Sequence, residues 1–435
     1  MLLHQDWRIA GCEECVRGMR RELTVDVLIV GLGPAGACAA AAAALAGLRV
    51  LAIDRKSVAG VPVQCAEFVP AMIGAEIGAL SRARRQSIRS MTTYIEAETP
   101  HIKGQFPGHM IDRAAFDAAL VAEAIAAGAD CRLGTVLRKL DGNGAAQLSS
   151  RRPFSPPLDG EGGAAEPRGW GGARGDTSEP RHPHPHPLPA GGWGDKRSAA
   201  ERQSTPSVKE EDLAVRARVV IGADGPRSAV RRAIGQINRD VAETRQITVP
   251  LLEPFEATDI FLSAGIRGGY AWLFPKGDVA NLGLGLESAA RDRLKPLLES
   301  LHLRLVSEGR VGSEVLGHTG GAIPVGGILE PAGQLGEATV LLAGDAAGLT
   351  NPVTGAGINA AVISGTLAGE AAARICAGGA DAAAGYAEEL RDLFGSSLNR
   401  ALARRRELMQ TYATGGPGPA DLERSWIAFP AYWAA

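Results

Sequence analysis

The first strongly patterned stretch is Val25-Asp26-Val27-Leu28-Ile29-Val30, a nearly continuous apolar run. Such a run predicts a strand buried on both faces. A glycine-rich turn follows, then an Ala-rich helix that runs to Ala46 and is stopped by Gly47. Residues 49–53 predict a second strand ending at Asp54, which completes a βαβ unit. Asp112 predicts the cap of a helix reaching Ala127, with Ala115, Ala119 and Ala122 sharing a face with Phe116 and Leu120. Residues 133–140 predict a strand, Asp141-Gly142-Asn143-Gly144 a turn, and residues 215–221 another buried strand. Residues 247–252, 260–266, 270–274 and 279–286 read as short strands separated by Gly, Pro and Asp, hence a mostly antiparallel sheet. The buried-strand pattern returns at 338–343 and leads into a long Ala-rich helix. The tail from Gly385 reads as helical and ends in Trp426, Phe429, Tyr432 and Trp433.

One segment breaks the pattern. Residues 151–210 are rich in Pro, Gly, Arg and Ser and poor in β-branched residues. That composition predicts an inserted disordered loop, because it buries too little surface to offset ordering entropy. Its His182, His184 and His186 offer metal ligands but predict no ordered shell to hold them, so a solvated Pro-rich loop is the favoured reading.

Composition sharpens this outline. The chain has 435 residues, 45% hydrophobic, with a formal charge of -2. It is long enough for two domains, and its charge balance does not suggest a nucleic-acid partner. Six scattered cysteines without framework spacing point to a reducing, cytoplasmic setting. Cys12 and Cys15 form a single CxxC, two ligands short of a zinc site, so no metal is expected. No stretch reaches the ~18 apolar residues of a spanning helix. The N-terminal segment lacks the apolar core of a signal peptide, and Met19 is a second candidate start.

Gly31-Leu32-Gly33-Pro34-Ala35-Gly36 lies between the first strand and its helix. Gly31 permits the turn, Gly33 lets backbone approach a pyrophosphate, and Gly36 allows close packing. The phosphates would sit on unpaired N–H groups at the positive end of the helix, with Asp54 placed to accept from the adenosine ribose. This unit alone serves NAD as well as FAD. Two later segments favour FAD: Gly222-Ala223-Asp224-Gly225, and Gly344-Asp345 followed by Thr354-Gly355-Ala356-Gly357-Ile358-Asn359. Carboxylates at strand ends suit ribitol and pyrophosphate, and a helix starting near residues 355–359 would aim its positive end at the flavin pyrimidine.

These features predict an α/β fold. It comprises a discontinuous Rossmann-type FAD-binding domain (24–70, 108–150, 211–235, 338–380), an inserted mostly antiparallel β-sheet substrate domain (71–107, 236–337) and a helical C-terminal tail (381–435). Residues 1–23 form an N-terminal extension and 151–210 the insert.

Two segments carry a narrower resemblance: Pro62-Val63-Gln64-Cys65-Ala66-Glu67 and Gly269-Tyr270-Ala271-Trp272-Leu273-Phe274-Pro275-Lys276. With the glycine loop and Gly344-Asp345, the chain resembles the FAD-dependent oxidoreductases of the geranylgeranyl reductase family, within the glutathione-reductase-like flavoproteins. The similarity spans about residues 25–377, apart from the insert. It implies that Ala35, Asp54, Cys65, Ala66, Phe68, Arg113, Val136, Asp345, Gly357 and Ile358 occupy FAD-contacting positions. Phe68 departs from the small residue expected there. Arg113, a cation at a helix start, makes physical sense beside a phosphate; a solvated helix residue is the plain alternative. The resemblance associates the Cys65 position with catalysis, against the alternative of a small residue tolerated beside the cofactor. Tyr270, Trp272 and Phe274 alternate along one side of a strand, where they either line an isoprenoid pocket or form ordinary sheet core.

The implied activity is reduction of carbon–carbon double bonds in an isoprenoid or related lipid, with NAD(P)H or a reduced ferredoxin-like protein as donor. A lipid substrate implies a transient membrane-surface encounter, for which Trp426, Phe429 and Trp433 are the candidate contacts. The alternatives are an FAD-dependent monooxygenase of an aromatic or alkene, and a non-catalytic or electron-carrying flavoprotein.

Overall fold

The computed structural model describes residues 22–71, 78–96, 98–150 and 211–434. The CxxC pair, Met19 and the insert at 151–210 lie outside the described residues. The first half of the chain forms β1 (Glu22–Val30), α1 (Pro34–Leu45), β2 (Val50–Asp54), β3 (Phe68–Pro70), α2 (Gly78–Ala83), β4 (Arg84–Ile88), β5 (Ser90–Ile95), β6 (His101–Lys103), β7 (Gly108–Ile111), α3 (Arg113–Ala126), β8 (Asp130–Leu133), β9 (Thr135–Leu140) and β10 (Ala145–Ser150). The second half forms β11 (Glu211–Gly222), α4 (Ala229–Ala233), β12 (Val241–Pro250), β13 (Ala257–Leu262), β14 (Ala271–Lys276), β15 (Val279–Glu287), α5 (Leu294–Ser307), β16 (Gly317–Pro324), β17 (Ala332–Leu335) and β18 (Ala338–Leu342). Four helices close it: α6 (Ile358–Cys376), α7 (Ala382–Ala413), α8 (Pro419–Arg424) and α9 (Pro430–Trp433).

One sheet runs β17-β18-β11-β1-β2-β8, with β10 pairing β11 and β9. β18, β11, β1, β2 and β8 are parallel along this path. Valines, leucines and isoleucines of β1, β2, β11 and β18 are buried, as a parallel sheet covered on both faces requires. The chain passes from β1 outward through β2 to β8, then crosses to the other side of β1 as β11 and β18. β1 is therefore the strand where the order reverses, and its carboxyl end opens on the crevice where doubly wound sheets bind ligands. α1 packs against α6 through small residues: a Cβ on Gly365 would stand 2.1 Å from the Ala35 carbonyl oxygen, and one on Gly369 2.5 Å from that of Ala39. This close approach accounts for the Ala-rich sequence of both helices.

The second sheet runs β16-β12-β15-β14-β13-β5-β6, antiparallel except for β13 beside β5. One face packs on α5 through Leu282, Leu284, Leu298 and Leu305. The other face carries Trp272 and Phe274 and is covered by Trp426 and Phe429 of the tail. A third sheet, β3-β7-β4, lies at the junction.

Several local expectations shift. Asp112 does cap α3, accepting the Ala115 N–H at 3.0 Å. The buried face of that helix is Phe116, Asp117, Leu120, Val121 and Ala124, while Ala115 and Ala122 are exposed. The run 133–140 breaks at Gly134, whose φ of +71° ends β8 before β9 begins. Pro275 lies inside β14 rather than ending it, because the pairing with β13 stops at Leu273 and no ladder partner needs the missing N–H.

Candidate functional site

The glycine loop sits at the carboxyl end of β1. Its first N–H, on Gly31, donates to the Ile53 carbonyl at 2.8 Å, and the Ala223 N–H donates to Val30 at 2.8 Å. Gly31 has φ +99°, and a Cβ there would lie 2.3 Å from the Ala223 oxygen. A Cβ on Gly36 would lie 1.7 Å from the Gly31 oxygen. Both glycines are thus demanded by the protein's own packing. Gly33 differs: a Cβ on it would meet nothing within 4 Å. It caps α1, whose first turn has no acidic residue and no side-chain cap. Asp54 accepts the Leu32 N–H and the Lys56 N–H, each at 2.8 Å, so it braces the loop as well as closing β2.

The two later aspartates stand just beyond the carboxyl ends of β11 and β18. Asp224 Oδ2 accepts the Ala229 N–H at 2.6 Å and so helps to cap α4; its Oδ1 is buried without a partner. Asp345 accepts the Thr350 hydroxyl at 2.5 Å. Burial pushes the Asp345 carboxyl above its ordinary value, with Thr350 and then Arg113 opposing. Gly357 caps α6 without a side-chain hydrogen bond, and a Cβ there would lie 2.7 Å from Thr350 Oγ1 and 3.3 Å from Asp345 Oδ1. Ile358 opens the helix. Asp54, Asp224, Asp345 and Gly357 thus stand at the ends of the parallel strands or at the start of α6. Val136 is the second residue of β9, opposite Ser149 of β10.

Cys65 and Arg113 join this crevice to the second sheet. Arg113 Nε donates to Asp117 Oδ1 at 2.6 Å, and both side chains are largely buried. Burial alone would depress the Arg113 guanidinium; Asp117 and then Cys65 outweigh that and hold it above its ordinary value. The cation at the start of α3 is thereby balanced within the chain. On the other side of Cys65, its carbonyl accepts from Gln246 Nε2 at 3.3 Å, and Gln246 Oε1 accepts from Trp272 Nε1 at 3.0 Å. Burial, with a smaller contribution from Cys65, raises the Tyr270 hydroxyl well above its ordinary value; that hydroxyl donates to the Thr354 carbonyl at 2.6 Å.

Tyr270, Trp272 and Phe274 form one aromatic row, with ring centroids 5.6 Å and 6.2 Å apart. Phe68 extends the row, 5.9 Å from Phe274 and 5.6 Å from Phe106, and Ala66 packs on the same cluster. Trp426 lies 4.7 Å from Tyr270. Trp426 and Phe429 are 2% and 7% exposed, so they are core residues and cannot dip into a membrane. Trp433 is 52% exposed, with Lys103 and Arg400 over its ring.

The sequence motifs contained residues whose importance only the structure exposes. Glu67 is 5% exposed and has φ +68°. A non-glycine residue held there costs on the order of 1–3 kcal/mol. Its carboxylate accepts from Lys276 Nζ at 2.6 Å, Asn281 Nδ2 at 2.9 Å and the Arg113 N–H at 3.0 Å. Glu67 and Lys276 close the two motifs that carried the resemblance, which was the available signal. Asn281 and Gln246 sit in ordinary strand sequence and gave none. Among the described residues no cluster of His, Cys, Asp and Glu could hold a metal ion.

A doubly wound sheet with a glycine loop at its switch point, joined to an antiparallel sheet with a buried aromatic face, defines a Rossmann-type dinucleotide-binding fold with an added sheet domain. A geranylgeranyl bacteriochlorophyll reductase-like protein of Thermoplasma acidophilum shares the fold, superimposing with TM-score 0.68 at 24% identity, over 89% of this chain and 88% of that one. The flavin-dependent brominase Bmp2 superimposes with TM-score 0.57 at 15% identity, over 90% and 88%. Enzymes of such different chemistry share the fold, so the fold alone does not select the reaction. No family model matches the chain. Digeranylgeranylglycerophospholipid reductase 1 of Methanopyrus kandleri is 32% identical over 363 residues, 80% of this chain and 80% of that protein. The chain belongs to the geranylgeranyl reductase family.

Proposed function

We propose that this protein is an FAD-dependent reductase of carbon–carbon double bonds in an isoprenoid lipid of the digeranylgeranylglycerophospholipid class. The observation that carries the reading is the position of Cys65. It stands between the start of α3, through Glu67 and Arg113, and the aromatic face of the second sheet, through Gln246 and Trp272.

The residues present fit FAD. The open space beside Gly33, the uncapped start of α1, the partnerless Asp224 Oδ1 and the buried Asp345 are all groups that a dinucleotide with ribityl and ribose hydroxyls would satisfy. Gly31, Gly33, Ala35 and Gly36 would hold the pyrophosphate, Asp54 the adenosine ribose, and Asp345 with Gly357 and Ile358 the flavin end. Cys65, Ala66, Phe68, Arg113, Val136 and Asp224 would complete the contacts. The chemistry that bound, reduced FAD would supply is hydride donation.

The chain must supply the rest. An isolated alkene has no oxygen to hold developing charge, so the protein has to position the bond, exclude water and place a proton donor beside the second carbon. Tyr270, Trp272 and Phe274 provide an apolar row suited to isoprene units. The Cys65 thiol can hold a proton at Sγ next to that row, or shape the slot beside it. NAD(P)H or a ferredoxin-like protein would act as electron donor. Among the described residues no helix is long and apolar enough to cross a membrane. Delivery of the lipid then calls for a surface encounter, and Trp433 of the tail, flanked by Arg400 of α7 and Lys103 of β6, is left for it.

The test is anaerobic incubation of the flavin-loaded, chemically reduced protein with an unsaturated archaeal-type phospholipid, followed by mass spectrometry. The expected product gains a pair of hydrogens per bond reduced, and Cys65→Ala slows its formation by tenfold or more. In a parallel incubation under air, oxygen incorporation with rapid oxygen consumption would instead establish a monooxygenase.

A further inference from the structure

Between the two sheets a buried carboxylate does work that no cofactor or substrate contact explains. Glu67 follows Cys65 by two residues, and its own N–H donates to Cys65 Sγ at 3.2 Å. Its backbone is in the left-handed region, which a side chain with a β-carbon adopts only when its surroundings compel it. Those surroundings come from the antiparallel sheet and from the start of α3. Lys276, at the end of the strand bearing Trp272 and Phe274, donates at 2.6 Å; Asn281, opposite Phe274 on the next strand, donates at 2.9 Å and also reaches the Ala66 carbonyl at 3.2 Å. The Arg113 N–H adds a third bond at 3.0 Å from the start of α3. The side chains of Glu67 and Lys276 are 6% and 20% exposed, so this ion pair is screened little by water.

We infer that Glu67 and Lys276 are positioning residues. Their clamp locks the left-handed turn that fixes the Cys65 thiol relative to the aromatic row. An ion pair suits this task better than an apolar contact, because a buried carboxylate with three donors tolerates one orientation only, and removal of either partner strands a charge. The coupling is mechanical: β14 carries the lysine together with Trp272 and Phe274, so a shift of that strand shifts Cys65 with it. Gln246, which bonds the Cys65 carbonyl and the Trp272 indole, supplies a second tie of the same sense. The consequence for turnover rests on the alkene-reductase reading; the position of the thiol does not.

The experiment uses the full-length, flavin-loaded protein and the variants Lys276→Met, Lys276→Arg, Glu67→Gln, and Glu67→Gln combined with Lys276→Gln. The iodoacetamide alkylation rate of the Cys65 peptide is read by mass spectrometry, with Cys131 as internal reference, beside the thermal midpoint, kcat and KM. Lys276→Met and Glu67→Gln should raise the Cys65 rate tenfold or more relative to Cys131, and lower kcat tenfold or more with KM changed less than twofold. Lys276→Arg should recover most of the loss, since it restores a cation to Glu67. The neutral double variant should recover the thermal midpoint but not the Cys65 rate. An unchanged Cys65 rate in the folded Lys276→Met protein overturns the inference. So does loss of the fold in all variants, double variant included, which would make the pair purely structural. If the wild type reduces no lipid alkene, the functional reading falls while the alkylation comparison still decides the clamp.

Discussion

At the scale of single residues, the three glycines of the first loop separate folding from binding. Gly31 and Gly36 face protein atoms closer than any Cβ tolerates, whereas Gly33 faces open space with an ordinary φ of -74°. Gly33→Ala should therefore leave the thermal midpoint of the flavin-free protein unchanged, yet weaken FAD about tenfold or more, a loss of at least about 1.4 kcal/mol. Gly36→Ala should lower the midpoint itself, by an overpacking cost of at least about 1–3 kcal/mol. Denaturation curves and flavin titration together read both. Equal flavin affinity in Gly33→Ala would mean that the dinucleotide does not pass there. Asp345 supplies a pH test. Burial raises its carboxyl above the ordinary 3.8, so the folded chain keeps that proton longer than the unfolded chain does. The sign follows: this group favours the fold at low pH, and the contribution is lost as pH rises from the ordinary value through the raised one. In the flavin-free protein, Asp345→Asn should then become progressively more stable than the wild type as pH rises above the ordinary carboxylate value. A pH-independent difference would contradict it.

At the scale of elements, α1 and α6 are held together by what their glycines lack. Gly365→Ala would drive a methyl group into the Ala35 carbonyl, 2.1 Å away, and should cost about 1–3 kcal/mol while shifting the start of α6 with Gly357. Gly385, exposed in the first turn of α7 with nothing near its missing Cβ, should behave oppositely. Gly385→Ala should gain about 0.5–1 kcal/mol from helix propensity alone. Opposite signs for one chemical change, read from denaturant midpoints, are the check. These elements also show what sequence makes legible. The apolar runs 27–30 in β1, 219–221 in β11 and 340–342 in β18 announced themselves because a stretch buried on both faces has no polar alternation to blur it. The capping Asp112 was equally plain. The buried face of α3 was not, because alanines stripe every side of that helix and only Phe116, Leu120 and Val121 distinguish the core side. The site divides in the same way. Glycine loops and strand-end aspartates are local, whereas the Glu67–Lys276 pair joins residues 209 apart in sequence. Trp426 and Phe429 looked like interfacial aromatics because spacing alone says nothing of the sheet face they cover.

At the scale of the whole molecule, the segment 151–210 enters between two strands that already belong to the fold. β10 ends at Ser150 and β11 begins at Glu211, and these strands are hydrogen-bonded neighbours in the parallel sheet. β10 is held on its other side by β9, with Ala146 opposite Leu140 and Ser150 opposite Thr135. β11 is held by β1 along Ala214 to Gly222 and by β18 along Val219 to Gly222. The alignment of both strands is thus fixed by pairings that do not involve the intervening segment. The candidate site draws on the far end of β11, at Ala223 and Asp224, rather than on its beginning. Replacing residues 151–210 by a linker of about eight residues should therefore leave flavin binding and lipid reduction within about twofold of the parent. Closure entropy grows by about 0.6 kcal/mol per doubling of loop length, so nearly three halvings should stabilise the protein by no more than about 2 kcal/mol. Denaturant titration, flavin content and turnover of the shortened protein test this together. Loss of bound flavin in a variant that still folds would show that the segment reaches the crevice and belongs to the site.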